Sequence, residues 1–277
     1  MHPTLVEIGS FTITTYGVVV ATAALVGTYV FGRSLEARGL DRDVAWVLLG
    51  YVFVGAFVGA KLYFVVLHGD PGALLSRGGL VWYGGLVGGL AAGAWGTRRQ
   101  GLPLGPVADG AAPALALGHG IGHLGCFFSG DSYGLPSDLP WAVAFPRGMP
   151  PSTAGNLRRV FGVDVPAWIP DDRVLAVHPT MLYSAAALLV VFAVLWILRR
   201  TDRPPGWLFG LYLLLSGVER FAVEFLRAKD DRFLWGLTTA QAIAAVAIVA
   251  GITLLVRRRR TRRADSRTGP SPAPARG

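Results

Sequence analysis

The sequence predicts an all-α, polytopic membrane protein with seven transmembrane helices. Of its 277 residues, 52% are apolar and 16% are charged, whereas average soluble proteins carry roughly 25% charged residues. Apolar stretches of about eighteen residues or more, the length needed to cross a bilayer, recur along the chain. Clusters of arginine follow alternate stretches, a pattern typical of cytoplasmic connections. These three observations favour a membrane protein over one or two soluble domains.

The seven predicted spans lie at about 12–32, 44–68, 79–96, 105–122, 178–198, 206–225 and 236–256. The fourth and sixth are the weakest, because glycine, histidine and charged residues lie near their ends. The first thirty residues lack a basic start and a clear cleavage site, so we expect a retained span and no removed signal peptide. Glycine pairs in the third span, Gly84-Gly85 and Gly88-Gly89, predict close helix packing in lipid.

The arginine clusters also predict the orientation of the chain. They follow the first, third, fifth and seventh spans: Arg33, Arg38 and Arg42; Arg98 and Arg99; Arg199, Arg200 and Arg203; and Arg257 to Arg260. By the positive-inside rule these sites are cytoplasmic, which places the N-terminus outside and the C-terminus inside. The longest connection, at about 123–177, is then an extracytoplasmic loop or cap.

We expect two parts: a seven-span membrane domain over residues 1–256 and a basic, disordered cytoplasmic tail over 257–277. The tail holds eight Arg and one Asp of a chain whose net charge is +9. A basic segment directly after a span favours contact with the anionic cytoplasmic leaflet, so no nucleic-acid partner is expected. With the single cysteine Cys126, no intramolecular disulfide is possible.

A polar, glycine-rich segment follows the fourth apolar stretch. We call residues 123–134 the signature segment; it reads His-Leu-Gly-Cys-Phe-Phe-Ser-Gly-Asp-Ser-Tyr-Gly. Residues 139–146 continue it as Leu-Pro-Trp-Ala-Val-Ala-Phe-Pro. Ionisable groups at the edge of an apolar span are expensive to keep there, which makes them functional candidates.

A second group of charges lies in the sixth span. Arg220, Glu224 and Arg227, the charge triad, are spaced so that all three would project from one helix face. An Arg-Glu-Arg set can neutralise itself and leave one positive charge over, and the planar guanidinium suits a lipid phosphate. The alternative is an ordinary juxtamembrane charge cluster.

Several roles stay open for the other polar residues. His123 could be a general base toward a thiol or, when protonated, a phosphate partner. A metal site at His119, His123, Cys126 and Asp131 is an alternative, although the spacing matches no zinc pattern. Cys126 could be a nucleophile or an inert small side chain. Asp131 could be a turn residue, and the tyrosines could be interfacial aromatics.

The signature segment resembles that of the prolipoprotein diacylglyceryl transferases. That family has Arg-x-Gly-Asn-Phe-x-Asn-Gly-Glu-x-x-Gly followed by Leu-Pro-Trp-Ala-Val-x-Phe-Pro. His123 stands at the family's Arg, Cys126 and Ser129 stand at its two Asn, and Asp131 stands at its Glu. The glycines and the closing Leu-Pro-Trp-Ala-Val-Ala-Phe-Pro are kept.

Five further blocks, between about 10 and 256, carry the resemblance: Tyr16-Gly17, Gly59 to Tyr63, Gly78 to Gly88, His178 to Tyr183, and Arg220 to Arg227. Tyr83 occupies the family's histidine position in the third block. In the fourth, Met181 replaces Gln, and Ser184 replaces the Glu that usually follows. The last matches the family's Arg-Phe-x-x-Glu-x-x-Arg in full.

The resemblance implies an enzyme that transfers a diacylglyceryl group from phosphatidylglycerol to the lipobox cysteine of preprolipoproteins. It places a multi-pass protein in the bacterial cytoplasmic (inner) membrane, with glycerol 1-phosphate as the other product. The implied partners are phosphatidylglycerol, preprolipoprotein signal peptides and membrane lipid, without a cofactor or metal. The polar substitutions leave one alternative: a non-catalytic or re-purposed lipid-binding paralogue.

The resemblance also implies the site. The expected catalytic residues are His123, Asp131, Arg220 and Glu224. The expected substrate-binding residues are Tyr16, Tyr83, Cys126, Ser129, Gly134, His178, Tyr183 and Arg227. Arg220, supported by Arg227, would hold the phosphate, Glu224 would orient Arg220, and His123 or Asp131 would be the base or a second phosphate partner.

Overall fold

The computed structural model describes residues 4–8, 11–69, 72, 74, 81–229, 231–234 and 236–265 and is predominantly helical. The described part contains seven long helices and one short one. They are α1 (Thr15–Glu36), α2 (Val44–His68), α3 (Trp82–Arg99), α4 (Leu104–Ser129), α5 (Ala154–Arg159), α6 (Thr180–Leu198), α7 (Trp207–Glu224) and α8 (Thr239–Asp265). Each of the seven predicted apolar stretches coincides with one long helix.

Five of the described helices combine the length and apolar composition needed to cross a membrane. They are Thr15–Glu36, Val44–His68, Leu104–Ser129, Thr180–Leu198 and Thr239–Val256. Helices α3 and α7 are 18 residues long and are not among the five. Glycine lowers the hydropathy of α3, and α7 contains Glu219, Arg220 and Glu224. The protein is therefore a helical membrane protein.

Three two-stranded antiparallel sheets, which the sequence pattern did not predict, accompany the helices in the described residues. Strands β1 (Thr4–Ile8) and β2 (Phe11–Thr14) precede α1, β3 (Val143–Ala144) pairs with β4 (Ala176–Val177), and β5 (Arg232–Leu234) pairs with β6 (Leu237–Thr238) before α8. All three are short. The second holds together two distant parts of the connection between α4 and α6.

The chain divides into two compact units, Thr28–Ala111 and the combination of Met1–Gly27 with Ala112–Gly277. Within Thr28–Ala111, α2 packs on α3 through glycine. A Cβ on Gly84 would lie 2.5 Å from the Cβ of Tyr63, and a Cβ on Gly88 would lie 2.9 Å from the Cα of Gly59. The prediction of close packing is confirmed at Gly84 and Gly88. A Cβ on Gly85 or Gly89 would meet nothing closer than 3.4 Å.

The other unit contains a folded cap, residues 130–179, between α4 and α6. The expected boundary of this connection, about residue 123, falls inside α4, which continues to Ser129 and ends where Gly130 takes a φ of 67°. The core of the cap includes the fully buried Phe145, Leu157 and Val177. The connection is thus folded around a core that it shares with Met181 of α6 and with Ala228 after α7.

Polar contacts fix the cap from within. The Tyr133 ring stacks on Phe145 with centroids 5.5 Å apart, and its hydroxyl donates to the Pro150 carbonyl at 2.9 Å. Burial raises the pKa of Tyr133 to about 12. On the surface, Arg158 and Arg159 both pair with Asp171. Hydrogen bonds from Arg159 and Arg158 hold the pKa of the Asp171 carboxyl below its usual range.

The end of the chain is described in part. Helix α8 runs to Asp265, so the backbone of residues 257–265, the first part of the expected tail, is helical. The remaining tail residues, 266–277, lie outside the described residues.

Candidate active site

The charge triad begins at the last turn of α7. Arg220 Nη1 lies 2.6 Å from Glu224 Oε2, and the Glu224 side chain is fully buried. The Thr238 hydroxyl, at the end of β6, donates to Glu224 Oε1 at 2.9 Å. The Glu224 carboxylate therefore contacts the Arg220 guanidinium and the Thr238 hydroxyl, and these two contacts fix its orientation.

Arg227 joins the triad by a route other than the expected one. The sequence analysis placed all three side chains on one continuous helix face, but α7 ends at Glu224. The chain turns at Phe225 and Leu226, and Arg227 Nε then lies 3.8 Å from Glu224 Oε2. The expected grouping of the three charges is observed, whereas the prediction of one continuous helix through Arg227 was wrong. Backbone pairing of Arg227 beyond the end of α7 keeps its side chain close to Glu224.

This pairing is made with the end of the signature segment. Gly134 forms an antiparallel bridge with Arg227, and the Leu135 amide donates to the Leu226 carbonyl at 2.9 Å. On its other side, the Gly134 amide donates to the His178 carbonyl at 2.8 Å. The signature segment thus lies between the residues after α7 and those before α6.

Only glycine fits at position 134. A Cβ there would lie 2.7 Å from the Cβ of His178 and 2.9 Å from Cγ2 of Thr180, distances that atoms of folded proteins avoid. The Thr180 hydroxyl donates to the Ser132 carbonyl at 2.7 Å, which fixes the segment further. Gly134 therefore lets three separate parts of the sequence meet at one point.

Two histidines project from α4 in this unit. The rings of His119 and His123 stack with centroids 4.8 Å apart and an angle of 26° between their planes. Both ring nitrogens of His123 are buried and have no hydrogen-bond partner. Arg220 and Arg227 both act electrostatically on this ring. His123 thus has two buried ring nitrogens without a hydrogen-bond partner, on the same helix face as His119.

Cys126 and Asp131 are also within electrostatic range of Arg227. Asp131 follows the end of α4, where its amide donates to the Cys126 carbonyl at 3.2 Å. Tyr16 packs against this part of α4, because a Cβ on Gly125 would lie 3.3 Å from the Tyr16 ring. The start of α1 therefore borders the same cluster.

Other expected residues are placed less directly. The buried Ser129 hydroxyl donates to the Gly125 carbonyl at 3.1 Å within its own helix. His178 Nδ1 lies 3.3 Å from the Tyr183 hydroxyl, which also accepts a hydrogen bond from Trp141 Nε1 at 2.8 Å. Ser129 therefore directs its hydrogen bond to its own helix, while the His178 side chain pairs with Tyr183 next to Gly134.

Tyr83 lies in the unit Thr28–Ala111, in the first turn of α3. Its ring packs edge-on against Trp82, with centroids 5.5 Å apart and planes at 84°. The contacts described for Tyr83 are those within its own unit.

The sequence analysis missed three residues of this region. Thr238 holds Glu224 and had no local sequence signal. Trp141, which donates to Tyr183, stands in the Leu-Pro-Trp block and could have been identified there. Glu219 directly precedes Arg220 and is buried. A carboxylate in an apolar span is itself a reason to suspect function.

The described residues contain no group of three or more His, Cys, Asp or Glu side chains that could hold a metal ion. The alternative of a metal site at His119, His123, Cys126 and Asp131 therefore has no ligand set there. Two guanidinium groups, Arg220 in the last turn of α7 and Arg227 just after it, both lie near Glu224 Oε2 and can receive an anion such as a phosphate.

Comparison with known proteins gives one consistent result. The sequence model of the family "Prolipoprotein diacylglyceryl transferase" matches residues 3–257. A phosphatidylglycerol–prolipoprotein diacylglyceryl transferase of Synechococcus elongatus is 32% identical over 267 residues, covering 92% of this chain and 86% of the relative. The enzyme of the same name from Pseudomonas paraeruginosa is 30% identical over 242 residues, covering 80% and 82%. The chain belongs to the prolipoprotein diacylglyceryl transferase family.

Proposed function

We propose that this protein is an enzyme that transfers the diacylglyceryl group of phosphatidylglycerol to the lipobox cysteine of preprolipoproteins. The family assignment supports the reaction, and one observation carries the assignment of the site: the charge triad is joined to the signature segment through Gly134. The relatives share the name phosphatidylglycerol–prolipoprotein diacylglyceryl transferase, which gives the lipid and protein substrates.

The reaction needs cations that hold the phosphate leaving group and a base that activates the cysteine thiol. The cysteine sulfur attacks the glyceryl carbon that bears the phosphate, a carbon–sulfur bond forms, and the carbon–oxygen bond to phosphate breaks. Glycerol 1-phosphate leaves with the bonding electron pair, and the thiol proton passes to a base. The thiolate is the nucleophile, and cations must stabilise the phosphate.

Arg220 and Arg227 supply those cations. Arg220 is held by Glu224 at 2.6 Å and keeps 23% of its side chain exposed, so it is both oriented and accessible. A guanidinium can hold two phosphate oxygens at once. Arg227 Nε lies 3.8 Å from the same carboxylate oxygen, Glu224 Oε2. We assign the phosphate to Arg220, with Arg227 in support and Glu224 as the orienting residue.

His123 and Asp131 are the candidates for the base and for a second phosphate partner. The unpaired ring nitrogens of His123 favour a role in contact with substrate, and Asp131 is within range of Arg227. Tyr16, Tyr83, Cys126, Ser129, Gly134, His178 and Tyr183 are proposed to shape the lipid and peptide sites. Gly134 acts by allowing the backbone pairing, and no cofactor is needed.

We also propose that α3 and α7 cross the membrane, which gives seven spans with the N-terminus outside. Each has 18 residues, or about 27 Å at 1.5 Å per residue, close to the apolar thickness of a bilayer. Two of the charges of α7 that would lie in the apolar layer, Arg220 and Glu224, are paired with each other. The compartment would be the bacterial cytoplasmic membrane, with the cap (residues 130–179) outside and the tail (257–277) inside.

Expression in a bacterium depleted of its own transferase tests this function. The wild-type chain should restore growth and the lipidated form of its preprolipoproteins, whereas Arg220→Ala should restore neither. A chain that reaches the membrane and binds phosphatidylglycerol vesicles, yet leaves preprolipoproteins unmodified, would contradict the proposal and identify a non-catalytic lipid-binding paralogue.

A further inference from the structure

A tryptophan, a tyrosine and a histidine form a chain of hydrogen bonds between the cap and α6. Trp141 Nε1 donates to the Tyr183 hydroxyl at 2.8 Å, and the same hydroxyl lies 3.3 Å from Nδ1 of His178. The rings of His178 and Tyr183 also meet edge to face, with centroids 6.1 Å apart and planes at 65°. Trp141 takes no part in the transfer steps proposed above.

Strand pairing in the cap brings the three residues together. Strand β3 pairs with β4 in antiparallel register, with Val143 opposite Val177, so the chain before β3 runs alongside the chain after β4. Trp141 precedes β3 by two residues, and His178 directly follows β4. Tyr183 lies in the first turn of α6. The contact is therefore set by the fold of the cap and its connection to α6.

The chemistry of the three groups gives the chain a direction. An indole N–H can only donate, so the Tyr183 oxygen accepts from Trp141. Among the described residues, the other partner of this hydroxyl is Nδ1 of His178, which can accept the phenol proton. A neutral imidazole that accepts at Nδ1 carries its own proton at Nε2. The opposite arrangement would make the Tyr183 oxygen accept twice and leave its proton without this acceptor.

The backbone of His178 borders the proposed phosphate site. Its carbonyl accepts from the Gly134 amide at 2.8 Å, and Gly134 in turn pairs with Arg227. A neutral imidazole with its proton at Nε2 is a hydrogen-bond donor, and the phosphate and ester oxygens of a phospholipid are acceptors. The tautomer of His178 therefore decides whether Nε2 can bind such an oxygen.

We propose that Trp141 is a positioning residue that acts through Tyr183 on His178. By donating to the Tyr183 oxygen, it directs the phenol proton to Nδ1 of His178 and so keeps the ring proton at Nε2, as a donor to an oxygen of the lipid. The contact with lipid rests on the proposed function, whereas the tautomer is a property of the chain itself.

Nitrogen NMR of the full chain in detergent, with ¹⁵N-labelled histidine, tests the tautomer directly. The spectrum is recorded about two pH units above the ordinary histidine pKa of about 6.5, and His178→Gln identifies the signals. In the wild-type chain, Nδ1 of His178 should resonate as an unprotonated nitrogen and Nε2 as a protonated one. Trp141→Phe keeps an aromatic ring but removes the donor, so both tautomers should then be populated.

Two further variants complete this test. Tyr183→Phe removes the middle of the chain and should also mix the tautomers, which gives a second readout if Trp141→Phe does not fold. Trp168→Phe is the matched control, because Trp168 is a cap tryptophan that is 82% exposed; it should leave the tautomer unchanged. A wild-type ring with its proton at Nδ1, or a tautomer unchanged in Trp141→Phe, would overturn the proposal.

Activity tests the contact with lipid separately. When only a fraction of the molecules has the binding-competent tautomer, apparent affinity falls by that fraction, so Trp141→Phe should lower kcat/KM for phosphatidylglycerol by about twofold to tenfold, mainly through KM. Mixed tautomers with kcat/KM equal to that of Trp168→Phe would overturn the lipid contact. If the wild-type chain transfers no lipid, the proposed function fails, while the NMR spectra still test the action of Trp141 on His178.

Discussion

Replacing Arg220 with alanine separates the two things that this side chain does. It compensates a fully buried carboxylate, Glu224, at 2.6 Å, and we propose that it also binds the phosphate of the lipid. Breaking a buried ion pair by removing one partner costs about 3–5 kcal/mol. Here Thr238 still donates to Glu224 and Arg227 stays at 3.8 Å. We therefore expect Arg220→Ala to lower the free energy of unfolding by about 2–3 kcal/mol.

The expected loss of activity is larger than this loss of stability would cause. Removing a group that stabilises transition-state charge typically costs about 10²–10³ in turnover. Arg220→Lys keeps the charge but loses the planar fork, so we expect it to recover little. Turnover is measured as label moved from phosphatidylglycerol to a lipobox peptide, at a temperature where each purified variant is fully folded.

A double variant and a matched control make the reasoning refutable. Arg220→Ala with Glu224→Gln removes the uncompensated charge and should regain stability without regaining activity. Arg33→Ala breaks an ion pair with Glu36 in which both side chains are about half exposed, and should change stability by less than about 0.5 kcal/mol. Near-normal turnover of Arg220→Ala, or activity recovered in the double variant, would refute the phosphate assignment.

Three further predictions concern the signature segment and the topology. Gly134→Ala places a Cβ 2.7 Å from that of His178. It should lower the free energy of unfolding by about 1–3 kcal/mol and reduce transfer. An unchanged melting temperature would argue against the close packing at this position. His123→Ala should lower transfer by about tenfold or more. His123→Arg then distinguishes the two roles: retained or raised transfer indicates a phosphate partner, and a further loss indicates the base. Reporter fusions at residues 100, 201 and 262 should report cytoplasm and one at 155 the outer face; an outer-face result at 262 would contradict seven spans.

Local sequence pattern predicted the helices and the grouping of the charges. Long apolar stretches fix where the helices lie, because length and composition alone decide what can be buried in lipid. The spacing of Arg220, Glu224 and Arg227 was enough to predict that they meet. The way in which Arg227 is held could not be predicted, because it depends on backbone pairing with Gly134, a contact between distant parts of the chain.

Contacts between distant segments explain the other omissions as well. Thr238 carries no motif, and only the β5–β6 hairpin brings its hydroxyl to Glu224. The connection was expected as an extracytoplasmic loop or cap, and its strands were not predicted because they are two residues long and derive their stability from tertiary packing. Glu219 was visible as a charge in an apolar span, but its burial depends on how the helices pack.

The central claim is that one site releases the phosphate and forms the thioether. It is tested most directly with purified protein, a lipobox peptide, and phosphatidylglycerol labelled separately in its acyl chains and in its phosphate. We expect peptide-bound acyl label and released glycerol phosphate to appear in equal amounts, and a peptide with serine in place of cysteine to give neither. Release of glycerol phosphate without peptide-bound label, or no reaction with any cysteine peptide, would contradict the account.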